Sequence, residues 1–164
     1  DKRIDVFAVA IGTGMTVFDL QELELAYAPP YGSGKDPVNM AGYAAANILD
    51  GTAVIGHFEE LETDSFIVDV RLDSEFAKGS VPGAIHIPVD QMRDRFNELP
   101  KDKTINLYCS VGIRSYIASR FLRQKGLDAK SISGGYSTYM ARTSEKLLEG
   151  QTAQQLRDEF CTGL

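Results

Sequence analysis

Residues 104–115 of this chain read TINLYCSVGIRS, and this stretch decides the predicted fold. Its first five residues, Thr104 to Tyr108, carry no charged side chain, as is typical of a central strand in a parallel sheet. A predicted helix follows from Ile113 to Lys125, and Gly126 ends it. A strand that leads through a short loop into a helix is the repeating unit of an α/β protein.

Strands and helices also alternate on both sides of this stretch. This alternation predicts a parallel sheet covered by helices on both faces. The predicted strands are 66–70, 84–87 and 129–133, and the predicted helices are 73–78, 90–99 with Asp90 as N-cap, and 136–148. On the helix from residue 113, the predicted apolar stripe is Ile113, Ile117, Phe121 and Leu122.

The first fifty residues have a different character. The apolar run Val6–Ile11 predicts a buried strand, and short helices are predicted over 18–26 and from Pro37 to Leu49. Because one strand and two helices make little core, we expect this α+β appendage to pack against something else. The predicted division of the chain is an N-terminal segment over 1–52, an α/β domain over 53–148 and a polar tail over 149–164.

The charge of the chain is acidic overall and unevenly distributed. The net charge of −6 argues against a nucleic-acid partner, since phosphate binding needs clustered Lys and Arg. Residues 1–65 carry 3 basic and 11 acidic side chains, whereas the remainder carries 14 basic and 12 acidic ones. This difference in net charge between the two parts of the chain supports the interpretation that they are two units of different origin. The basic residues between 90 and 130 are interpreted as a solvated helical face.

Cysteine, histidine and apolar content indicate the compartment and exclude some kinds of site. The two cysteines, Cys109 and Cys161, make no disulfide framework and favour a reducing compartment such as the cytoplasm. The two histidines show no zinc-ligand spacing, so no metal is expected. No apolar run reaches the roughly 18 residues of a membrane span, so no membrane partner is expected.

Cys109 stands where the central strand ends and the following helix begins. Active sites of open parallel sheets lie at this edge. Free backbone N–H groups and the helix dipole stabilise a thiolate there and lower its pKa. Gly112 lets the loop curl so that its amides point inward, and Arg114 adds a positive charge. This pattern favours a nucleophilic cysteine over a small apolar side chain buried at a strand end.

Several motifs occur in the order found in one known family. They are Asp69-Val-Arg71, Glu75-Phe76, VPGAIHIP at 81–88, Cys109-x-x-Gly112-x-Arg114, and Ser133-Gly-Gly135 followed by Tyr139. On these motifs, residues 53–145 resemble the rhodanese-like sulfurtransferase domain. The two departures from the family pattern lie outside the cysteine loop; they are the sequence GSVPG at 79–83 and Tyr139 in place of the usual tryptophan.

The resemblance implies a chemistry of persulfides. Cys109 would take up a sulfane sulfur as a persulfide and pass it to an acceptor thiol, and no cofactor is expected within this domain. The resemblance also implies that the cysteine loop binds the substrate, through Ser110, Val111, Gly112, Ile113, Arg114 and Ser115.

Three further residues are considered for roles beside the cysteine loop. Asp69 is predicted to tie loops together by accepting backbone N–H groups, rather than to act as an acid or base. Arg71 either guides an anionic sulfur donor or pairs with Asp73 or Glu75, and both interpretations stay open. Cys161 could resolve the persulfide, although its position in a polar tail favours an idle thiol.

The N-terminal segment has a resemblance of its own. Residues 25–32 (LAYAPPYG) and 36–42 (DPVNMAG) are similar to the end of the dimerisation domain of flavin-dependent pyridine nucleotide-disulfide reductases. The branch is that of coenzyme A-disulfide reductases and NADH oxidases, some of which carry a C-terminal rhodanese domain. The resemblance implies a homodimeric parent with FAD and NAD(P)H, and coenzyme A persulfide or polysulfide as sulfur source. Tyr27 or Tyr31 would approach the flavin and thiol site, or pack in the dimer interface.

Two other functions stay open on the sequence. Cys-based phosphatases share the strand-loop-helix cradle, but they follow Cys-x5-Arg, whereas four residues separate Cys109 from Arg114. The shorter loop predicts amides that converge on the sulfur itself rather than on a bound phosphate. The second alternative is a catalytically idle binding module, against which the presence of both Cys109 and Arg114 argues.

Overall fold

The computed structural model describes residues 2–32, 34, 36–62 and 64–149. Contacts within the chain divide it into two units, Asp1–Ala53 and Val54–Leu164, which are described separately. The predicted polar tail beyond residue 149, with Cys161, lies outside the described residues.

The first unit is helical where it is described. Its helices are α1 (Lys2–Gly12), α2 (Val17–Gln21) and α3 (Pro37–Leu49). The predicted strand over Val6–Ile11 is therefore wrong, and with it the α+β character of this segment. A short apolar run does not distinguish a strand from a helix, and the two alanines in this run favour the helix.

Helices α2 and α3 pack closely at Gly42. A Cβ added to this residue would lie only 3.0 Å from the backbone nitrogen of Gln21. The close approach of the two helices therefore depends on glycine at this position. Asn39 supports the same contact, since its Nδ2 donates to the carbonyl oxygens of Leu20 at 3.0 Å and Leu23 at 2.9 Å.

The second unit contains a five-stranded parallel sheet. Its strands are β1 (Ile55–Gly56), β2 (Phe66–Asp69), β3 (Ile85–His86), β4 (Ile105–Tyr108) and β5 (Ala129–Ile132). The order across the sheet is β1-β5-β4-β2-β3, which places the uncharged strand β4 at the centre. The predicted α/β fold class is confirmed. The sequence analysis missed β1, because two residues form no recognisable pattern.

The helices of this unit follow the predicted order. They are α4 (Asp73–Phe76), α5 (Met92–Arg95), α6 (Ile113–Gln124) and α7 (Gly135–Glu149), with 3₁₀ helices at Phe58–Glu60 and Phe96–Glu98. The predicted helix over 90–99 is split in two, and Gln91 rather than Asp90 precedes α5.

The apolar stripe predicted on α6 is only half correct. Leu122 is buried and Phe121 partly so, but Ile113 and Ile117 are 70% and 54% exposed. The helix faces the sheet with small side chains instead, which allow a close approach. These buried residues are Ser115, Ala118 and Ser119.

Each face of the sheet has its own apolar core. Because side chains alternate along a strand, Leu107 lies in one core and Tyr108 in the other. Met92 of α5 and Leu122 of α6 pack into the first core, and Tyr136 of α7 packs against the second. Helices therefore cover both faces, as predicted.

Candidate active site

Cys109 lies in the loop that joins β4 to α6. Its side chain is buried, and Gly112, at φ 132°, turns the loop so that its N–H donates to Cys109 Sγ at 3.1 Å. The Ser115 hydroxyl lies 3.7 Å from the same sulfur. Ser115 is held in place by the carbonyl oxygen of Gly112 and the hydroxyl of Ser131, each at 2.9 Å. The loop thus wraps around the sulfur atom.

The surroundings of Cys109 favour its anionic form. Burial alone raises the pKa of the thiol, but the backbone N–H groups of Ser115, Gly112 and Val111 outweigh this effect and lower the pKa below its ordinary value. The hydrogen bond from Gly112 agrees with the prediction that loop amides point toward the sulfur. A partly dehydrated thiolate at the start of a helix is a nucleophile.

Arg114 does not point freely into the site, because it forms a bidentate ion pair with Glu75 of α4. Its two terminal nitrogens donate to the carboxylate at 2.6 and 2.8 Å, and Nη2 also donates to Ser110 Oγ at 2.8 Å. Ser110 Oγ in turn donates to Glu75 at 2.5 Å. The hydrogen bonds from Arg114 hold the pKa of Glu75 well below its usual range, and Glu75 raises the pKa of Arg114.

Glu75 is the residue whose role the sequence analysis missed. It was noted only as part of the Glu75-Phe76 motif and as a partner for Arg71, and it lies 39 positions from Arg114. The backbone N–H of Leu72 also donates to its carboxylate at 3.0 Å, so the start of α4 fixes its orientation. Glu75 therefore connects α4 to Ser110 and Arg114 of the cysteine loop.

Arg71 pairs with Asp69 rather than with Asp73 or Glu75. Its Nη2 donates to Asp69 Oδ2 at 2.6 Å and to the carbonyl oxygen of Gly79 at 2.7 Å. Asp69 also accepts the backbone N–H of Arg71 at 2.9 Å and the Tyr108 hydroxyl at 2.7 Å, in keeping with its predicted tying role. Arg71 is thus buried in an internal polar cluster beneath the loop, with its charge already paired.

The start of α7 closes the cysteine loop from the other side. The N–H of Tyr136 donates to the Cys109 carbonyl oxygen at 2.7 Å, and that of Ser137 donates to the Ser110 carbonyl oxygen at 3.0 Å. Gly135, at φ 55°, allows this approach, because a Cβ on it would overlap with the carbonyl groups of Cys109 and Ser110.

The other predicted site residues lie at exposed positions. Val111 and Ile113, the apolar side chains of the cysteine loop, are 62% and 70% exposed. Tyr27 and Tyr31 belong to the first unit, where both are exposed. In the part of the chain that the structure describes, no three His, Cys, Asp or Glu side chains form a group that could hold a metal ion. None of the helices described there is long and apolar enough to cross a membrane.

The low pKa of Cys109 is expected to shift its reactivity to lower pH. The thiolate is the reactive form, so the rate of alkylation by iodoacetamide should rise with a midpoint below the roughly 8.5 of a free cysteine. The measurement uses Cys161→Ser protein, in which Cys109 is the remaining thiol. The same protein in urea serves as control and should show the ordinary midpoint. A folded-state midpoint at or above the urea value would contradict the geometry.

A comparison with known sequences identifies relatives of both kinds expected from the motifs. The family described as Rhodanese-like domain matches residues 53–142. A tRNA sulfurtransferase of Desulfurococcus amylolyticus is 45% identical over 109 residues, which cover 62% of this chain and 22% of that protein. A coenzyme A disulfide reductase of Staphylococcus haemolyticus is 52% identical over 48 residues, which cover 29% of this chain and 11% of that protein.

Two solved structures match most of the chain. The reduced CoADR-RHD protein of Bacillus anthracis superimposes with a TM-score of 0.80 at 48% identity, over 85% of this chain and 26% of that one. An NAD-dependent persulfide reductase of A. fulgidus superimposes with a TM-score of 0.72 at 42% identity, over 83% of this chain and 25% of that one. The chain therefore spans about a quarter of each of these proteins.

Proposed function

This chain belongs to the rhodanese-like domain family, and on that premise we propose that it transfers sulfur through a persulfide on Cys109. One observation carries the proposal: the sulfur of Cys109 accepts the N–H of Gly112 inside a loop that lowers its pKa. Such a sulfur can attack an electrophilic sulfur atom, and the same amides can then hold the charge of the product.

In the proposed first step, the Cys109 thiolate attacks the outer sulfur of a donor such as thiosulfate. A new S–S bond forms, the S–S bond of the donor breaks, and sulfite leaves with the electron pair. The product is a persulfide anion on Cys109. The N–H groups of Gly112 and Ser115 would stabilise its charge as they stabilise that of the thiolate. The exposed side chains of Val111 and Ile113 would lie beside the entering donor.

We also propose that residues 1–52 are the end of the dimerisation domain of a flavin-dependent reductase. The reductases among the relatives support this assignment. FAD and NAD(P)H would then belong to the reductase domains, and the sulfur on Cys109, derived from coenzyme A persulfide or polysulfide, would be delivered to their thiol site. The exposed side chains of Tyr27 and Tyr31 are proposed to lie near that site or in a homodimer interface.

Intact-mass spectrometry tests the sulfur transfer directly. After incubation with thiosulfate, the chain should gain the mass of one sulfur atom and release one sulfite. Addition of a thiol acceptor should restore the original mass. A chain that gains no sulfur from thiosulfate or from polysulfide would refute the proposal. Hydrolysis of p-nitrophenyl phosphate by the same preparation would instead support the phosphatase alternative.

Glu75→Gln is expected to slow sulfur loading about tenfold, because the neutral amide cannot hold both terminal nitrogens of Arg114 and the Ser110 hydroxyl. The loop then loses the polar anchor that fixes its shape. Glu98→Gln is the matched control, since Glu98 pairs with Arg95 at 2.9 Å on the exposed surface. Loading rates are measured from sulfite release. Equal rates in the two variants would show that the Glu75 pair is not needed.

A further inference from the structure

A buried serine of strand β5 lies close to the cysteine loop. The sheet register pairs Ser131 with Leu107 of β4, so its side chain lies on the face of the sheet that Leu107 and Cys109 share. Helix α6 covers this face with Ala118 and Leu122. Serine is seldom buried without a hydrogen-bond partner, and Ser131 is only 3% exposed. Its hydroxyl therefore needs a partner inside the protein.

The partner of Ser131 is the hydroxyl of Ser115, which is itself fully buried on α6. The two hydroxyl oxygens are 2.9 Å apart. Ser115 Oγ also lies 2.9 Å from the carbonyl oxygen of Gly112 and 3.7 Å from Cys109 Sγ. Because a serine hydroxyl carries one hydrogen, these three neighbours compete for it.

The direction of the hydrogen bond between the two serines follows from the acceptors around them. If Ser115 donated to Ser131, the hydrogen of Ser131 would need another acceptor, and the structure gives this hydroxyl none among the described residues. If Ser131 donates, both hydrogens have acceptors, because the Gly112 carbonyl oxygen and a Cys109 thiolate both accept from Ser115. Burial makes an unpaired hydroxyl costly, so Ser131 is the donor.

This hydrogen bond limits where Ser115 can point its own hydrogen. With the orientation toward Ser131 closed, the hydrogen turns either to the Gly112 carbonyl oxygen or to Cys109 Sγ. A neutral thiol is a weak acceptor, so the carbonyl oxygen is preferred while Cys109 is protonated. A thiolate attracts the hydrogen through its charge, and rotation of the hydroxyl is enough to reach it. A hydroxyl that accepts one hydrogen bond also donates a stronger one.

We propose that Ser131 is a positioning residue for sulfur transfer, because its hydrogen bond aims the Ser115 hydroxyl at Cys109 Sγ whenever that sulfur is anionic. This inference rests on the proposed function and deepens it. In that function Sγ carries negative charge as the nucleophile that attacks the donor. Ser131 acts through Ser115 and not by contact with the reacting sulfur.

The same sulfur is anionic again when it is the leaving group. An acceptor thiol loses its proton to water, and its thiolate attacks the outer sulfur of the Cys109 persulfide. The S–S bond to Cys109 breaks, and its electron pair returns to Sγ as a thiolate. The acceptor leaves as a persulfide, and no external oxidant or reductant is consumed. A hydroxyl aimed at Sγ therefore assists both steps of the transfer.

The charged groups near Cys109 do not depend on the two serines. Arg114 is the charged side chain that interacts with Cys109, and it is held by its ion pair with Glu75. Asp69 belongs to the polar cluster around Tyr108, which lies on the opposite face of the sheet. A changed pH response of Cys109 in a variant of the serine pair can therefore be assigned to the hydroxyls.

The pH dependence of alkylation tests this role without any sulfur transfer. In Cys161→Ser protein, Ser131→Ala should raise the midpoint for the reaction of Cys109 with iodoacetamide by about 0.5–1 pH unit, because the thiolate loses an aimed hydrogen bond. Ser119→Ala is the matched control, since Ser119 is equally buried on α6 but donates to the Tyr116 carbonyl oxygen at 2.9 Å. Its midpoint should stay unchanged. An unchanged midpoint in Ser131→Ala, or an equal shift in the control, would overturn the proposal.

A double variant shows whether Ser131 acts through Ser115. Ser115→Ala alone should raise the midpoint further than Ser131→Ala does, since it removes the hydroxyl next to the sulfur. The addition of Ser131→Ala should then change nothing more, because no hydroxyl is left to aim. Additive shifts would mean that Ser131 acts by packing, and would overturn the proposal.

A second pair of variants covers the case in which Ser131→Ala does not fold. Ser131→Thr and Ser131→Val have nearly the same shape, and both β-branched side chains suit a strand. Only the threonine keeps the hydroxyl, so the midpoint should be higher in the valine variant. Equal midpoints in this pair would count against the proposal as decisively as an unchanged alanine variant.

Transfer kinetics connect the serine pair to the reaction. Persulfide-loaded Ser131→Ala should pass its sulfur to 2-mercaptoethanol about two- to threefold more slowly, because a more basic Cys109 thiolate is a poorer leaving group. An unchanged transfer rate would overturn the role of Ser131 and leave the proposed function intact. A failure of the unmodified chain to load sulfur would refute the proposed function, and the alkylation midpoints would still decide whether Ser131 directs Ser115.

Discussion

Replacement of Cys109 by serine is expected to abolish sulfur loading, with a fall in rate of roughly a thousandfold or more. The serine hydroxyl ionises far above neutral pH, and the amides of Gly112 and Ser115 cannot lower its pKa enough to make it a nucleophile at pH 7. Sulfite release from thiosulfate and the intact mass of the protein both report the loss. The fold should be kept, because the hydroxyl is smaller than the thiol and fits the same buried space.

The second cysteine provides the matched control. Cys161→Ser should load sulfur at the rate of the unmodified chain, since the pattern that activates Cys109 has no counterpart around Cys161 in the sequence. Circular dichroism should give the same spectrum and a closely similar melting temperature for both variants. Loading that persists in Cys109→Ser and disappears in Cys161→Ser would assign the chemistry to the wrong thiol and reject the site.

Gly135→Ala is expected to damage both the stability and the activity of the domain. A Cβ at this position overlaps with the carbonyl groups of Cys109 and Ser110, so the start of α7 or the cysteine loop must move. This overlap and the positive φ of 55° should together lower the free energy of unfolding by about 2–4 kcal/mol. Such a loss corresponds to a fall in melting temperature of roughly 10 °C or more. Sulfur loading should fall because the displaced loop no longer directs its amides to the sulfur.

Gly126→Ala separates steric overlap from backbone strain. Gly126 has a similar φ of 80° at the end of α6, but a Cβ there would meet no atom within 4 Å. In this variant the free energy of unfolding should fall by only about 1 kcal/mol, and the rate of sulfur loading should stay the same. Thermal unfolding and sulfite release are measured side by side for both variants. Equal losses would mean that Gly135 matters only for its φ and that the contact with Cys109 is unimportant.

The sequence predicts those parts of the site that are local. Cys109, Gly112 and Ser115 lie within seven residues, so the chain direction alone places the amides of the loop around the sulfur. The pairing of Glu75 with Arg114 could not be predicted in the same way, because it depends on how α4 packs against the loop across 39 positions. The order of the strands and helices after β1 was likewise predictable from glycine and proline residues at their ends, whereas the two-residue strand β1 was not.

Both errors arise because the apolar character of a residue was used to predict its structure or its burial. Val6–Ile11 is apolar in a way that fits a strand or a helix, and its two alanines favour the helix α1. On α6, Ile113 and Ile117 were expected in the core because they are large and apolar, yet both are exposed, and the buried positions of the helix are Ser115, Ala118, Ser119 and Leu122. A hydrophobicity pattern shows which residues of a helix are apolar. It does not show which side of the helix packs against the sheet.

The closure of the cysteine loop by α7 has a consequence for protein synthesis. The carbonyl groups of Cys109 and Ser110 are held by the amides of Tyr136 and Ser137, which leave the ribosome 27 residues later. Strand β5, which pairs with β4, and the start of α7 must both be synthesised before the loop is held from this side. A nascent chain that has reached only Cys109 therefore carries an ordinary thiol. We therefore expect the loop to reach its closed geometry only after translation has passed the start of α7.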